Sequence, residues 1–444
     1  MNPPDLLPPV PNLPLLPVPP RKGMSTGVIV VIVVGVVVLV VGVLAALAIP
    51  TFRRVQAMAQ EIKNKQTPAL NPPPPLTAAQ KQALERFGVE LAEALSKKDS
   101  ARVMSLQDAE GLTARVFGKL PTGIPNSTEM RAGFMQGIKK REGGWMWSVL
   151  GGEVRFLRAR ERQGFPAVLL RVKSAEGAVN YIDIMARPEG DSFRAVDMFN
   201  YIFATTASEE SRNALAAMVS KSAGGGLAAL LGMPKMDEAV SGYLVSINEA
   251  MRSGNMAEVL RICDGLPQEL KTQRIFFILR LQALMSLSSS DKVETQYKEA
   301  LRAAPDILGK DSTTDLLMVD LLYMENDLKG AEECLKRVEA VVGGDPYLKY
   351  LRGGTRLQMK DYPGALELAD QAAKEDPKMA EIVDLRITVH LARKDYKALA
   401  DELRAFKRNF GQVLDRKALA DDAQYAEFLA SPEFAAWEKE LAAP

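Results

Sequence analysis

The chain is short of the residues from which reactive sites are most often built: it has one histidine and two cysteines in 444 residues. Cys263 and Cys334 lie far apart in helical sequence, with no CxxC or histidine-rich spacing near either. That excludes a disulfide framework and a zinc site, and both read as small buried core residues. A surplus of charge is also missing, since 56 Lys and Arg face 55 Asp and Glu and leave a formal charge of +1. No global field draws such a chain onto a polyanion, so nucleic acid is not an expected partner. No metal and no cofactor is expected either. The run Gly224-Gly225-Gly226 lacks the lysine and hydroxyl residue that would make it a phosphate loop. In other respects the composition is that of globular protein, long enough for two or three domains with their own cores.

What the sequence does have is a long uncharged stretch. Residues Gly27 to Ile49 carry no charged or strongly polar side chain and are long enough to cross a bilayer as one helix. Arg21 and Lys22 precede the run, Pro50 ends it, and Arg53 and Arg54 follow, giving each interface a cationic anchor. A secretory signal peptide is the competing reading, with Leu44 to Ala48 as a small-residue cleavage site. The run exceeds the usual apolar region of such peptides, and a proline-rich stretch comes before it. On the positive-inside rule, Arg53, Arg54, Lys63 and Lys65 keep the C-terminal bulk in the cytoplasm. The segment Gly42 to Phe52, however, resembles the end of the hydrophobic helix of type IV pilin-like proteins. That resemblance implies an exported bulk and a bacterial inner membrane, so the side of the membrane stays open. The sequence departs from that family at Val33, where its glutamate would stand, and at Val28, where its glycine would stand.

The expected organisation is multidomain. A proline-rich tail at 1–26 alternates proline with leucine and valine and favours polyproline II. The membrane helix occupies 27–49, and 50–76 forms a juxtamembrane helix and a stiff linker through Asn71-Pro72-Pro73-Pro74-Pro75. An α+β domain with an antiparallel sheet follows at 77–207, then a helical and glycine-rich linker at 208–236. An all-α repeat domain fills 237–444.

In the α+β domain, Leu84, Phe87, Leu91 and Leu95 recur at helical spacing behind Thr77 as N-cap. Four strands are expected at Val154–Arg160, Ala167–Lys173, Val179–Met185 and Phe193–Phe199, joined at hairpin intervals. Helices followed by such a meander resemble the cystatin-like or nuclear-transport-factor-like roll, whose cone-shaped cavity hosts ligands or nothing. Asp183 and Asp197 are the candidates for acid–base chemistry in that cone, although the domain has no histidine; the plainer expectation is that both carboxylates are solvated. Arg158, Arg160, Arg162, Arg171 and Lys173 form a basic patch, either against anionic lipid or as charge that keeps an exposed strand soluble. Trp145 and Trp147 are expected to plug the core.

The C-terminal half repeats. Asn326-Asp327-Leu328, Lys360-Asp361-Tyr362 and Lys394-Asp395-Tyr396 begin 34 residues apart. With Ala331 and Ala365 at the small position of the second helix, and Gly353 at that of a first helix, the pattern resembles the tetratricopeptide (TPR) repeat. Leu399 departs from it. Earlier units run from Ile275 to Pro305, closed by that proline, and from about Ser241 to Leu266, giving about five repeats in all. Phe434 and Trp437 are expected to cover the open end. The resemblance implies a groove formed by the first helices that grips a peptide or helix of a protein partner. Lys349, Arg352, Arg356, Arg386 and His390 are its candidate residues.

The function expected from these features is that of a membrane-anchored adaptor or scaffold, not an enzyme, and no catalytic residue is assigned. The alternatives are a ligand sensor or enzyme in the α+β domain and a component of pilus or secretion-system assembly.

Overall fold

The computed structural model describes residues 75–119, 128–140, 142–150, 152–173, 179–218, 238–287, 291–309, 314–420 and 422–442. The expected tail 1–26, membrane helix 27–49 and nearly all of 50–76 lie outside the described residues. Among the described residues, no helix is long and apolar enough to cross a membrane. Two compact units are divided between Met324 and Glu325.

In the unit ending at Met324, α1 (Ala78–Ser96) starts at a capping box in which Thr77 and Gln80 satisfy each other's backbone N–H. Its stripe of Leu84, Phe87, Leu91 and Leu95 is buried against the sheet. Gly88 lies on the same side; a Cβ there would sit 2.4 Å from the Phe156 ring, so helix and strand approach closely. Helices α2 (Ser100–Ser105), α3 (Ala109–Phe117) and α4 (Thr128–Lys139) follow, then a 3₁₀ turn carrying the buried Trp145. The side chain of Trp147 lies outside the description.

The sheet is an antiparallel meander of β1 (Glu153–Arg162), β2 (Phe165–Lys173), β3 (Val179–Glu189), β4 (Ser192–Asn200) and the two-residue β5 (Thr205–Thr206), in that order. Four strands stand where the hairpin intervals put them. The fifth is too short to leave a pattern. β2 and β3 are buried along nearly their whole length, so both faces of the central sheet are covered and neither is a solvated face.

Helix α5 (Ala207–Met218) runs straight on from β5, so the start of the expected linker is helical. Helices α6 (Glu238–Arg252), α7 (Met256–Asp264), α8 (Arg274–Ser286), α9 (Asp291–Leu308) and α10 (Asp315–Met324) complete the unit. Arg274 fastens them to the sheet region: it donates to Glu210 at 2.8 Å, to the Leu308 carbonyl at 2.7 Å and to the Phe203 carbonyl. Cys263 and, in the second unit, Cys334 are buried, as expected, and neither is in a disulfide. Pro305 does not close its helix. It lies inside α9, where its ring removes one N–H but the last turn still forms as far as Leu308.

Between α9 and α10, Tyr297 donates to the Asp320 carboxylate at 2.8 Å in a buried site. Burial pushes Asp320 from the usual 3.8 up to about 7. The folded chain keeps this proton where the unfolded chain has lost it, so its contribution to stability falls as pH rises from about 4 to about 7 and is level above. Asp320→Asn, which keeps an acceptor for Tyr297, is expected to flatten that slope and to raise the urea midpoint at pH 8 more than at pH 5.

The unit from Glu325 holds α11 (Leu328–Val342), α12 (Pro346–Gln358), α13 (Tyr362–Glu375), α14 (Ala380–Ala392), α15 (Tyr396–Phe410) and a closing α16 (Pro432–Leu441). The 34-residue spacing is that of one turn. Asn326, Lys360 and Lys394 take left-handed φ of 60°, 61° and 55°. Asp327, Asp361 and Asp395 then cap the next helix, accepting from Gly330, Gly364 and Ala398 at 2.9, 3.1 and 3.2 Å. Gly254 and Asn255 use the same device before α7. Asp327→Ala is expected to lower the stability of this unit by about 1 kcal/mol, read by thermal unfolding.

Gly353 lets α12 lie close beside α14, since a Cβ would meet Leu385 Cδ2 at 2.5 Å. Leu399, at the place of the repeat's alanine, is fully buried and is accommodated. Phe434 and Trp437 pack in one buried cluster with Leu403, Phe406, Tyr425 and Phe428.

Candidate functional site

Helix α12 carries Lys349, Arg352 and Arg356 on one face, and carboxylates from the helices on either side meet them. Lys349 Nζ lies 3.0 Å from Glu339 of α11 and 2.9 Å from Glu375 of α13. Arg352 is 2.5 Å from Glu339 and 3.7 Å from Glu332. Arg356 is 2.6 Å from Glu332 and 2.7 Å from Asp361. Burial works against the Lys349 charge, but Glu375 and Glu339 overcome it and raise its pKa; Glu332 and then Asp361 do the same for Arg356. The three cations are therefore spent on holding α12 between its neighbours.

Arg386 and His390 stand on α14 at the places that Arg352 and Arg356 occupy one repeat earlier. Arg386 lies 2.5 Å from Asp370 of α13, which is 61% exposed, and 3.9 Å from Glu402 of α15. His390 Nδ1 lies 4.0 Å from the Asp395 carboxylate and is buried without a hydrogen-bond partner. Burial lowers its pKa despite Asp395. The five candidates thus fall into a cluster of three and a pair. The reading of the sequence missed the partner carboxylates. Their signal was present, because Glu332 and Glu339 are spaced by seven residues, as are Lys349 and Arg356.

The second cluster lies on the sheet. Asp183 accepts from Arg160 Nε at 2.6 Å, from its Nη at 2.5 Å and from the Tyr201 hydroxyl at 3.0 Å, with Arg162 at 3.8 Å. Arg162 also stacks 3.5 Å from the centre of the Phe199 ring. Asp197 accepts from Arg115 at 2.7 Å, from Ser208 Oγ at 2.6 Å and from the backbone N–H of Met198 at 2.9 Å. Both carboxylates are 0% exposed, which overturns the expectation that they are solvated. The β3–β4 register, Asp183 opposite Phe199 and Asp197 opposite Met185, puts both on one face, and that face is covered. Burial raises the Asp183 pKa against the pull of Arg160 and Arg162. Arg160 and Arg162 therefore turn inward to a carboxylate and are not strand-edge charges in open solvent. The arrangement ties β1 to β3, and β4 to α3 and α5.

Among the described residues, no group of three or more His, Cys, Asp or Glu is placed to hold a metal ion. No family model, curated protein or solved structure matches the chain.

Proposed function

We propose that the chain is a membrane-anchored adaptor that binds a protein partner through its C-terminal helix pairs. The observation that carries this reading is the repeated turn, a left-handed residue followed by a capping aspartate, at 326–327, 360–361 and 394–395. A recurring turn returns the chain in the same way each time, and stacked helix pairs of this kind present a long continuous surface rather than a closed cavity. The tetratricopeptide-like spacing favours such a surface as the binding element, and the apolar run 27–49 favours one bilayer crossing as the anchor.

Within this reading, Lys349, Arg352 and Arg356 set the geometry of α12. Arg386, whose close partner Asp370 is exposed, is the cation most open to exchange for a partner's carboxylate. The test is copurification from membranes of the full chain and of Arg386→Glu. A partner retained by the parent and lost from the variant supports the reading. Extraction of the parent by alkaline carbonate, or equal retention by both chains, counts against it.

A further inference from the structure

The two first helices α12 and α14 answer the same position differently. Arg356 carries a permanent charge and has two carboxylates within 2.7 Å, Glu332 and the capping Asp361. His390, 34 residues on, keeps only the equivalent of the second, Asp395, at 4.0 Å. The position equivalent to Glu332 is Leu366. A neutral imidazole suits that site and an imidazolium does not, since a buried cation needs its full set of acceptors. Asp395 caps α15 through Oδ1, as Asp361 caps α13, but its Oδ2 stands 4.0 Å from the ring, whereas Asp361 Oδ2 is 2.7 Å from Arg356.

We infer that His390 is an acid-sensitive joint: neutral, it seals the turn between α14 and α15, and on protonation it leaves a poorly compensated charge there that loosens this last helix pair. The inference stands independently of the adaptor reading, although it concerns the helix that carries two of the five candidate residues.

The charges around the ring have been drawn elsewhere. Arg386 of the same helix faces Asp370 of α13 and Glu402 of α15, and Arg356 of α12 faces Glu332 and Asp361. Arg386 and Arg393 both disfavour an added proton on His390, and Asp395 alone favours it. The lowered pKa that burial produces has the matching sign. The unfolded chain binds the proton more readily, so stability is full above the usual 6.5 of imidazole and is lost as pH falls through 6.5 toward the folded value. Asp384 and Glu402 in the same helix pair are pushed upward by burial and act in the opposite sense, so a bare pH profile of the protein does not isolate the histidine.

Because His390 is the only histidine, a histidine-selective isotope label reports on it alone. The full chain in detergent is titrated by NMR, and amide exchange of 380–410 is compared at pH 5.5 and 7.5 after correction for intrinsic rates. The expected result is an imidazole that titrates below 6.5, with exchange in α14 and α15 accelerated at pH 5.5. The acceleration approaches roughly tenfold for each unit of displacement. His390→Gln is expected to abolish the acceleration. Leu366→Glu, which restores the second carboxylate, is expected to carry the titration above 6.5 and to suppress the acceleration with the histidine in place. An imidazole that titrates at or above 6.5 in the parent overturns the inference. So does an acid response that survives in His390→Gln, or one that Leu366→Glu leaves untouched.

Discussion

Asp183→Ala is expected to destabilise the unit that contains the sheet by roughly 3–5 kcal/mol, the range for breaking a buried ion pair by removing one partner. The carboxylate is fully buried, and its loss leaves the Arg160 guanidinium without both close acceptors and the Tyr201 hydroxyl without its own. The mutual attraction of the pair is not the main term. The penalty comes from the Arg160 and Tyr201 donors, which lose the buried acceptor they share. A double variant, Arg160→Met with Asp183→Leu, is therefore expected to be more stable than Asp183→Ala, because matched apolar groups remove the unmet demand. Urea unfolding followed by far-ultraviolet circular dichroism checks both. A cost below about 1 kcal/mol for Asp183→Ala, the range of exposed pairs, would mean that water reaches this face.

Trp437→Ala is expected to lower the stability of the unit from Glu325 by roughly 3–5 kcal/mol, the range for truncating a buried aromatic. Trp437 is buried in the cluster with Phe428 and Phe434, and its indole N–H donates to the Leu414 carbonyl at 3.0 Å. Truncation leaves a void among those rings and takes the donor from the Leu414 carbonyl. Trp437→Phe keeps most of the area but not the hydrogen bond, and a smaller loss is expected. Comparing urea midpoints of the two variants separates packing from hydrogen bonding. Equal losses would show that the hydrogen bond, not the packed ring, holds this cluster.

The backbone plan was legible where local signals agree. Thr77 and the helical spacing of Leu84, Phe87, Leu91 and Leu95 announced α1, and hairpin intervals announced the central strands at Ala167–Lys173 and Val179–Met185. The triplets at 326, 360 and 394 announced a period, and each proves to be a turn whose aspartate caps the next helix, a device that needs only its own turn. β5 escaped because two residues carry no period. Pro305 misled because proline weakens a helix without always ending it near the last turn.

Side-chain chemistry was less legible than the backbone, and for one reason. Whether Asp183 is solvated, or whether Arg352 is free, depends on which charge a neighbouring element brings to it. Arg160 is far from Asp183 in sequence, and Glu339 lies on a different helix from Arg352. Residue type and parity name the face, but pairing across elements decides whether a charge on it is available.

The account stands on the claim that the helix pairs hold a protein partner at a membrane, and photocrosslinking from inside the cell tests it most directly. A photoreactive amino acid is placed at position 386 on α14 and, as control, at position 194 on β4. The account predicts one discrete heterologous adduct from position 386, in the membrane fraction and absent from position 194. Adducts that are equal from the two positions, or an adduct found only with soluble chain, would contradict it.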